Sequence, residues 1–283
     1  MAASSGDTRS MAVFCDFENV ALGVRGAKYD KFDISKVLER LLVKGSIVVK
    51  RAYCDWDRYK EFKAAMHEAA FELIEIPHVR MSGKNSADIR MVVDALDLCY
   101  TKEHVDTFVI VSGDSDFSPL VSKLRENDKE VIGVGVKKSS SDLLINNCDE
   151  FIYYDDLVRE EKAKAKRTRR KPAAKPKPAA AKAAPEAEEV EADDKTQQVL
   201  DLVVETYEAL LAERGEGEKI WGSMIKQALK RRKPGFNESY YGYKSFTEVL
   251  EEAKARGLLD LEHDEKSGGY LVRAASQPVE LAE

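Results

Sequence analysis

Four cysteines, four histidines and two tryptophans in 283 residues leave several chemistries with little to work on. Cys15, Cys54, Cys99 and Cys148 stand far apart with no CxxC spacing, and the first two fall in apolar, strand-like runs. Neither a zinc site nor a disulfide framework is expected. His67, His78, His104 and His263 share no ligand or acid–base spacing, which disfavours a histidine-driven phosphodiester cleavage. No run of about 18 apolar residues exists to span a bilayer, and MAASSGDTRS lacks the apolar core of a signal peptide. A cytoplasmic location without membrane attachment is therefore expected. An overall excess of positive charge is missing too: a net charge of -6 leaves nucleic-acid binding to local basic patches.

What the chain does have, at 43% hydrophobic content, is material for one sizeable core and one small one. From 11 to 158 short apolar runs alternate with amphipathic stretches. MAVFCDF reads as a strand leading into a loop, and Asp33 as the N-cap of a helix over Ile34–Leu42. Ile47–Cys54, Phe71–Ile76, Thr107–Val111 and Val131–Val136 read as further strands, with helices at Arg58–Ala70, Ala87–Tyr100 and Pro119–Asn127. Five strands separated by helices predict an α/β domain with a doubly wound parallel sheet. Such sheets bind ligands beyond the carboxyl ends of the strands, where strand order reverses.

Around this domain the composition changes. Residues 1–10 and 276–283 read as disordered ends. Between 159 and 194 apolar periodicity vanishes: eleven Lys/Arg stand against two Glu over 159–182, and six acids without a base follow over 183–194. This is the pattern of a charged linker, serving either as a plain tether or as a hold on RNA. Residues 195–275 then supply helices at Val199–Ala212, Ile220–Lys230 and Phe246–Ala255, and a hairpin over Leu258–Val272 turning at Lys266-Ser267-Gly268-Gly269. Three helices and a hairpin predict a small winged-helix domain.

The chemistry lies in the acids at strand ends. Asp16 closes the first strand, and SGDSDF places Asp114 and Asp116 just after the strand ending at Val111, on the same rim. Asp88 opens a helix, where the dipole favours a carboxylate. Taken singly, each has an ordinary reading: Asp16 or Asp114 as a helix N-cap, Asn19 as a turn residue, Ser112 as a satisfied strand-end hydroxyl or a donor to a catalytic water, Lys84 as a solvated loop lysine or a guide for phosphate. Jointly they describe a charge problem. At roughly 4 Å and an effective dielectric of about 20, each carboxylate pair repels by on the order of 4 kcal/mol, so a cluster calls for a cation. Oxygen donors suit Mg2+ or Mn2+, and open coordination positions suit phosphodiester hydrolysis.

MAVFCDFENV, KNSADIRMVVDAL and FVIVSGDSDFSPLV, in this order and spacing, resemble the three signatures of NYN domains, LabA-like relatives of PIN nucleases. The resemblance covers roughly Met11 to Leu157. It implies a metal pocket of Asp16, Asp88, Asp114 and Asp116, with Asn19 in support and RNA, single-stranded or structured, as substrate. Asp94 also matches a recurrent family acid, although it lies six residues past Asp88 and on a different helical face. The run KRRKPGFNESYYGYKSFTEVLEEAKARGLL with the closing GGYLVR resembles the OST-HTH, or LOTUS, domain. That domain binds RNA or a protein partner, and the pairing is common in bacterial NYN proteins.

Within that second segment, Lys226, Lys230, Arg231, Arg232 and Lys233 precede Tyr240, Tyr241, Tyr243 and Lys244. Stacking faces beside cations are what single-stranded RNA requires; the other reading packs Tyr241 and Tyr243 into the core. The expectation is a metal-dependent ribonuclease whose C-terminal module selects substrate. A slow or inactive RNA-binding scaffold is its main competitor. A haloacid-dehalogenase phosphatase also starts with an acid after its first strand, but it needs an Asp where Glu18 stands. The oligomeric state is not legible.

Overall fold

Strand β1 (Arg9–Asp16) is buried from Met11 to its end, as a central strand of a parallel sheet must be. Met11, Val13 and Cys15 enter one hydrophobic core, while Ala12 and Phe14 enter another on the opposite face. The computed structural model describes residues 9–29, 31–76, 86–159, 186–214, 219–264 and 269–275, with 186–194 as backbone alone. The chain divides into two units, Met1–Ala165 and Lys166–Glu283.

In the first unit β1 is followed by α1 (Phe17–Gly26), α2 (Ile34–Leu42), β2 (Gly45–Cys54), α3 (Lys60–Glu68) and β3 (Glu72–Glu75). Then come α4 (Ser86–Thr101), β4 (Thr107–Val111), a 3-10 turn at Ser115–Phe117, α5 (Ser118–Glu126), β5 (Glu130–Gly135), α6 (Asp142–Asn147) and β6 (Glu150–Tyr153). All neighbouring strands pair in parallel, in the order β3-β2-β1-β4-β5-β6. Helices α1–α3 supply Val20, Val24, Val37, Leu41 and Met66 to one core; α4–α6 supply Met91, Leu98, Leu120, Leu124 and Leu144 to the other. The chain winds outward from β1 through β3, then crosses to β4 and winds the other way. Strand order reverses between β1 and β4, which opens a crevice above their carboxyl ends.

The doubly wound sheet is as expected, with differences at particular elements. The described sheet has six strands, not five: β6, a four-residue edge strand paired with β5, follows the last strand anticipated. No loop separates MAVFCDF from the first helix, because α1 begins at Phe17. The Asp16 carboxylate caps it by accepting the Asn19 amide, and Phe17, Val20, Ala21 and Val24 line its buried face. Arg9 and Ser10, read as part of a disordered end, pair with Gly45 and Ser46. Asp33 caps α2 through the Ser35 amide at 3.0 Å, as expected. All four cysteines are free and buried.

The second unit contains α7 (Glu186–Arg214), β7 (Ile220–Trp221), α8 (Gly222–Arg232), a 3-10 turn at Glu238–Tyr241, α9 (Phe246–Ala255), β8 (Leu259–His263) and β9 (Tyr270–Ala274). Its sheet runs β7-β9-β8, all antiparallel, over a core of Val199, Val203, Ile225, Leu229, Phe246, Val249 and Leu261. This is a winged-helix arrangement. Helix α7 starts inside the stretch read as linker, since no glycine or proline interrupts 186–214 and acids are favoured in a first turn. Ile220 and Trp221, read as helical, instead pair with Val272 and Leu271. The remainder of the linker before 186, the two chain ends at 1–8 and 276–283, and the turn residues Lys266 to Gly268 lie outside the described residues. No described helix is long and apolar enough to cross a membrane.

Gly133 on β5 shows how tightly β6 is seated. A Cβ there would overlap the Phe151 ring and press on Cys148 Sγ, both buried. Gly133→Ala should destabilise the first unit by about 1–3 kcal/mol, read as a drop of several degrees in its calorimetric transition.

Candidate active site

Register decides where the acids meet. Cys15 pairs with Val111 and Asp16 with Tyr53, so the end of β1 is level with Ser112, the first residue after β4. Ser112 Oγ donates to Asp16 Oδ2 at 3.0 Å and accepts the Asp114 amide at 3.2 Å. Asn19 closes the same ring from α1: its amide donates to Asp16 Oδ1 at 3.4 Å, and its own Oδ1 accepts the Gly113 amide at 2.9 Å. Asp114 in turn caps the 3-10 turn, accepting the Asp116 amide at 3.0 Å. Gly113 carries no side chain because the Ser139 carbonyl and the Ser140 Cα occupy the space a Cβ would need. Ser141 seals that approach by donating its amide to Gly113 O at 2.9 Å.

Above this ring lies a cleft of about 430 Å3. Its lining carries five carboxylates, Asp16, Glu18, Asp55, Asp88 and Asp114, and one cation, Arg58, among the described residues. Arg58 Nη1 pairs with Glu18 Oε1 at 3.0 Å. Asp16 is 7% exposed. Burial, and then the facing charge of Asp88, push its pKa up to about 7; Asp114 adds to the rise, and the bonds from Ser112 and Asn19 oppose it. Asp88, half-buried at the start of α4, is raised as well, by burial first and then by Asp114, Asp116 and Glu18. Among the described residues no three His, Cys, Asp or Glu side chains close into a ready-made ion cage. The acids face one space and feel one another's charge without touching.

Of the acids anticipated together, Asp16, Asp88 and Asp114 line the cleft. Asp116 is exposed beside it, outside the lining, although its charge reaches Asp88. Asp94 also lies outside the lining: it accepts the Tyr53 hydroxyl at 2.9 Å and Arg90 Nε at 3.0 Å, with Arg51 at 4.0 Å. Those partners make it a clamp between α4 and β2. Ser112 spends its proton on Asp16, leaving none for a catalytic water. Lys84 lies outside the described residues. Sequence reasoning misses Glu18, Asp55 and Arg58 as site residues. Asp55 carries a signal, being an acid directly after a strand; Glu18 and Arg58 carry none, since only the fold brings 18 and 58 together.

In the second unit the anticipated cations have different company. Lys226 ion-pairs with Glu238 Oε1 at 2.7 Å, outside hydrogen-bond geometry, and Arg232 bonds Glu205 and Thr206 on α7. Arg231, Lys233 and Lys244 are exposed, and Lys230 is half-buried. Tyr241 stacks on Phe236 at 5.9 Å, and it and Tyr243 pack against the core, in line with the packing alternative. Tyr240 meets Tyr241 edge-on and lies under Lys195 Nζ, 5.9 Å from the ring centre.

The raised Asp16 pKa has a consequence for stability. Folded, Asp16 keeps its proton up to about pH 7, whereas its ordinary value is 3.8. Between those values the native chain binds more protons than the unfolded one, so stability falls as pH rises through the window. In chelator, Asp16→Asn should therefore stabilise the first unit at pH 8 by on the order of 2 kcal/mol and change little at pH 4. Calorimetry at both pH values checks this, and equal melting points at pH 8 would contradict it.

Residues 10–155 match the family model of the NYN domain. An uncharacterized protein of Methanocaldococcus jannaschii is 30% identical over 140 residues, 48% of this chain and 55% of that protein. The chain thus spans about half the length of the curated relative it matches. A crystal structure of a protein of unknown function from Vibrio parahaemolyticus is 26% identical, covering 55% of this chain and 98% of that one with a TM-score of 0.49. The family match takes in β1 through β6 and every acid of the cleft, and this chain belongs to the NYN domain family, within the PIN-like nucleases.

Proposed function

We propose that the first unit is a metal-dependent ribonuclease and that the second selects its substrate. The observation that carries this is Asp16: a carboxyl buried at the topological switch point, facing Asp88 and Asp114, with its pKa lifted to about 7. Left without a counter-ion, such a group tends to stay protonated. The donors are all oxygen, which fits a hard divalent ion. Mg2+ keeps several waters and binds through one or two carboxylates, so it needs no closed cage, and Mn2+ suits the same donors. Asp16, Asp88 and Asp114 would hold it, and once bound it would supply Lewis acidity and charge compensation beside a phosphodiester. The chain's own part is to keep these oxygens placed. Ser112 and Asn19 fix Asp16, and the cap at Asp116 fixes Asp114, so little reorganisation remains when the substrate arrives.

For the second unit, the OST-HTH/LOTUS resemblance is supported by three helices over a small antiparallel sheet. Its exposed Arg231 and Lys233 at the end of α8, with Lys244 and Tyr240 nearby in sequence, are the residues best placed to meet RNA; a protein partner is the other class to test. Tyr241 and Tyr243 contribute through packing.

Asp114→Asn should lower single-stranded RNA cleavage more than tenfold without unfolding the protein. EDTA should abolish cleavage, and Mn2+ or Mg2+ should restore it better than Zn2+ does, while p-nitrophenyl phosphate stays intact. Wild-type rates in the variant, or cleavage after rigorous chelation, would sink the assignment, and RNA binding with no cleavage would select the scaffold. Arg231→Glu with Lys233→Glu should weaken RNA binding by the full chain and flatten its salt dependence, as titrations at several salt concentrations would show.

A further inference from the structure

The sheet order puts cations on both sides of the acids. Reading along the carboxyl rim, β2 is followed by Asp55 and then Arg58, β1 ends on Asp16, β4 is followed by Asp114 and β5 by Lys137 and Lys138. The loops after β2 and β5 thus each bring a cation to one side of the acids that β1 and β4 carry. Arg58 is the single cation among the described residues lining the cleft, and it rests on Glu18 with half of its side chain exposed. On the other side, the loop carrying Lys138 is built against the acid loop: Ser139 O and Ser140 Cα press on Gly113, and the Ser141 amide bonds Gly113 O. Both lysines are exposed, and Lys137 Nζ turns toward β6, 5.8 Å from the Tyr153 ring centre.

We infer that a single strand of RNA crosses the sheet rim from β2 to β5, with Arg58 and Lys138 each binding a phosphate on either side of the acids. The span is three inter-strand spacings, about 14 Å, which a short run of nucleotides bridges. A cleft with five carboxylates and one cation repels a polyanion, and cations on its two sides let the strand approach while leaving the centre to the carboxylates. Glu18 parks Arg58 at the rim until a phosphate replaces it.

This rests on the nuclease reading for what becomes of the strand, but its test reads binding. A fluorescein-labelled ten-nucleotide oligouridylate is titrated into the full-length Asp114→Asn protein by anisotropy at several salt concentrations, then into the same protein carrying Arg58→Gln, Lys138→Gln or Glu18→Gln. Arg58→Gln and Lys138→Gln should each weaken binding about two- to fivefold and reduce the slope of log affinity against log salt by about 0.7 per cation. Glu18→Gln breaks the same ion pair as Arg58→Gln but should tighten binding, which separates phosphate contact from loss of a structural bridge. An unchanged slope in both Arg58→Gln and Lys138→Gln, weakening by Glu18→Gln, or no binding at all would overturn the track. Wild-type protein that binds but never cleaves would overturn the nuclease reading alone and leave these slopes to decide the track.

Discussion

The buried carboxylate of Asp16 is the constraint on which the site depends. It ends β1, an interior strand with neighbours on both sides and cores on both faces, so it cannot move to relieve its surroundings. Two bonds hold it, one from Ser112 Oγ and one from the Asn19 amide. Neither outweighs desolvation and the facing Asp88, since the net shift is upward. A folded chain that keeps such a group keeps a demand for positive charge at one point, and that demand connects fold to function here.

The ring around Asp16 also explains why small or polar residues are needed nearby. Asn19 links α1 to the loop after β4 through Gly113, and Gly113 must lack a side chain so that the 139–141 backbone can close against it. Ser112 acts on two acids at once, donating to Asp16 and accepting from the Asp114 amide. The SGD run is therefore a piece of joinery between three loops as much as a source of carboxylate. Asp94, similar on paper, is satisfied by Tyr53 and Arg90 and belongs to the packing of α4 on the sheet.

Much of this is legible in sequence, because it depends on local rules. Apolar runs at strand length, N-caps such as Asp33, and acids directly after strands report their own structure; α2, β4 and α9 fall where the periodicity puts them. Short elements escape for the matching reason. β7 has two residues, defined only by partners at Leu271 and Val272. Helix α1 is hidden because Phe17 reads equally well as the end of an apolar strand until Asp16 is seen to cap a helix there.

By itself the sequence determined that there is an α/β domain with acids at its strand ends and a smaller helical domain after a charged stretch, since periodicity and residue type are local properties. Only the tertiary structure decided which acids share a space. Strand order placed Asp16 between Tyr53 and Ser112, brought Asp88 and Asp114 to face it, turned Asp94 toward Tyr53, and set Arg58 against Glu18 forty residues away in the chain. Distances between charges depend on register and crossover, and neither is written in any single stretch of residues.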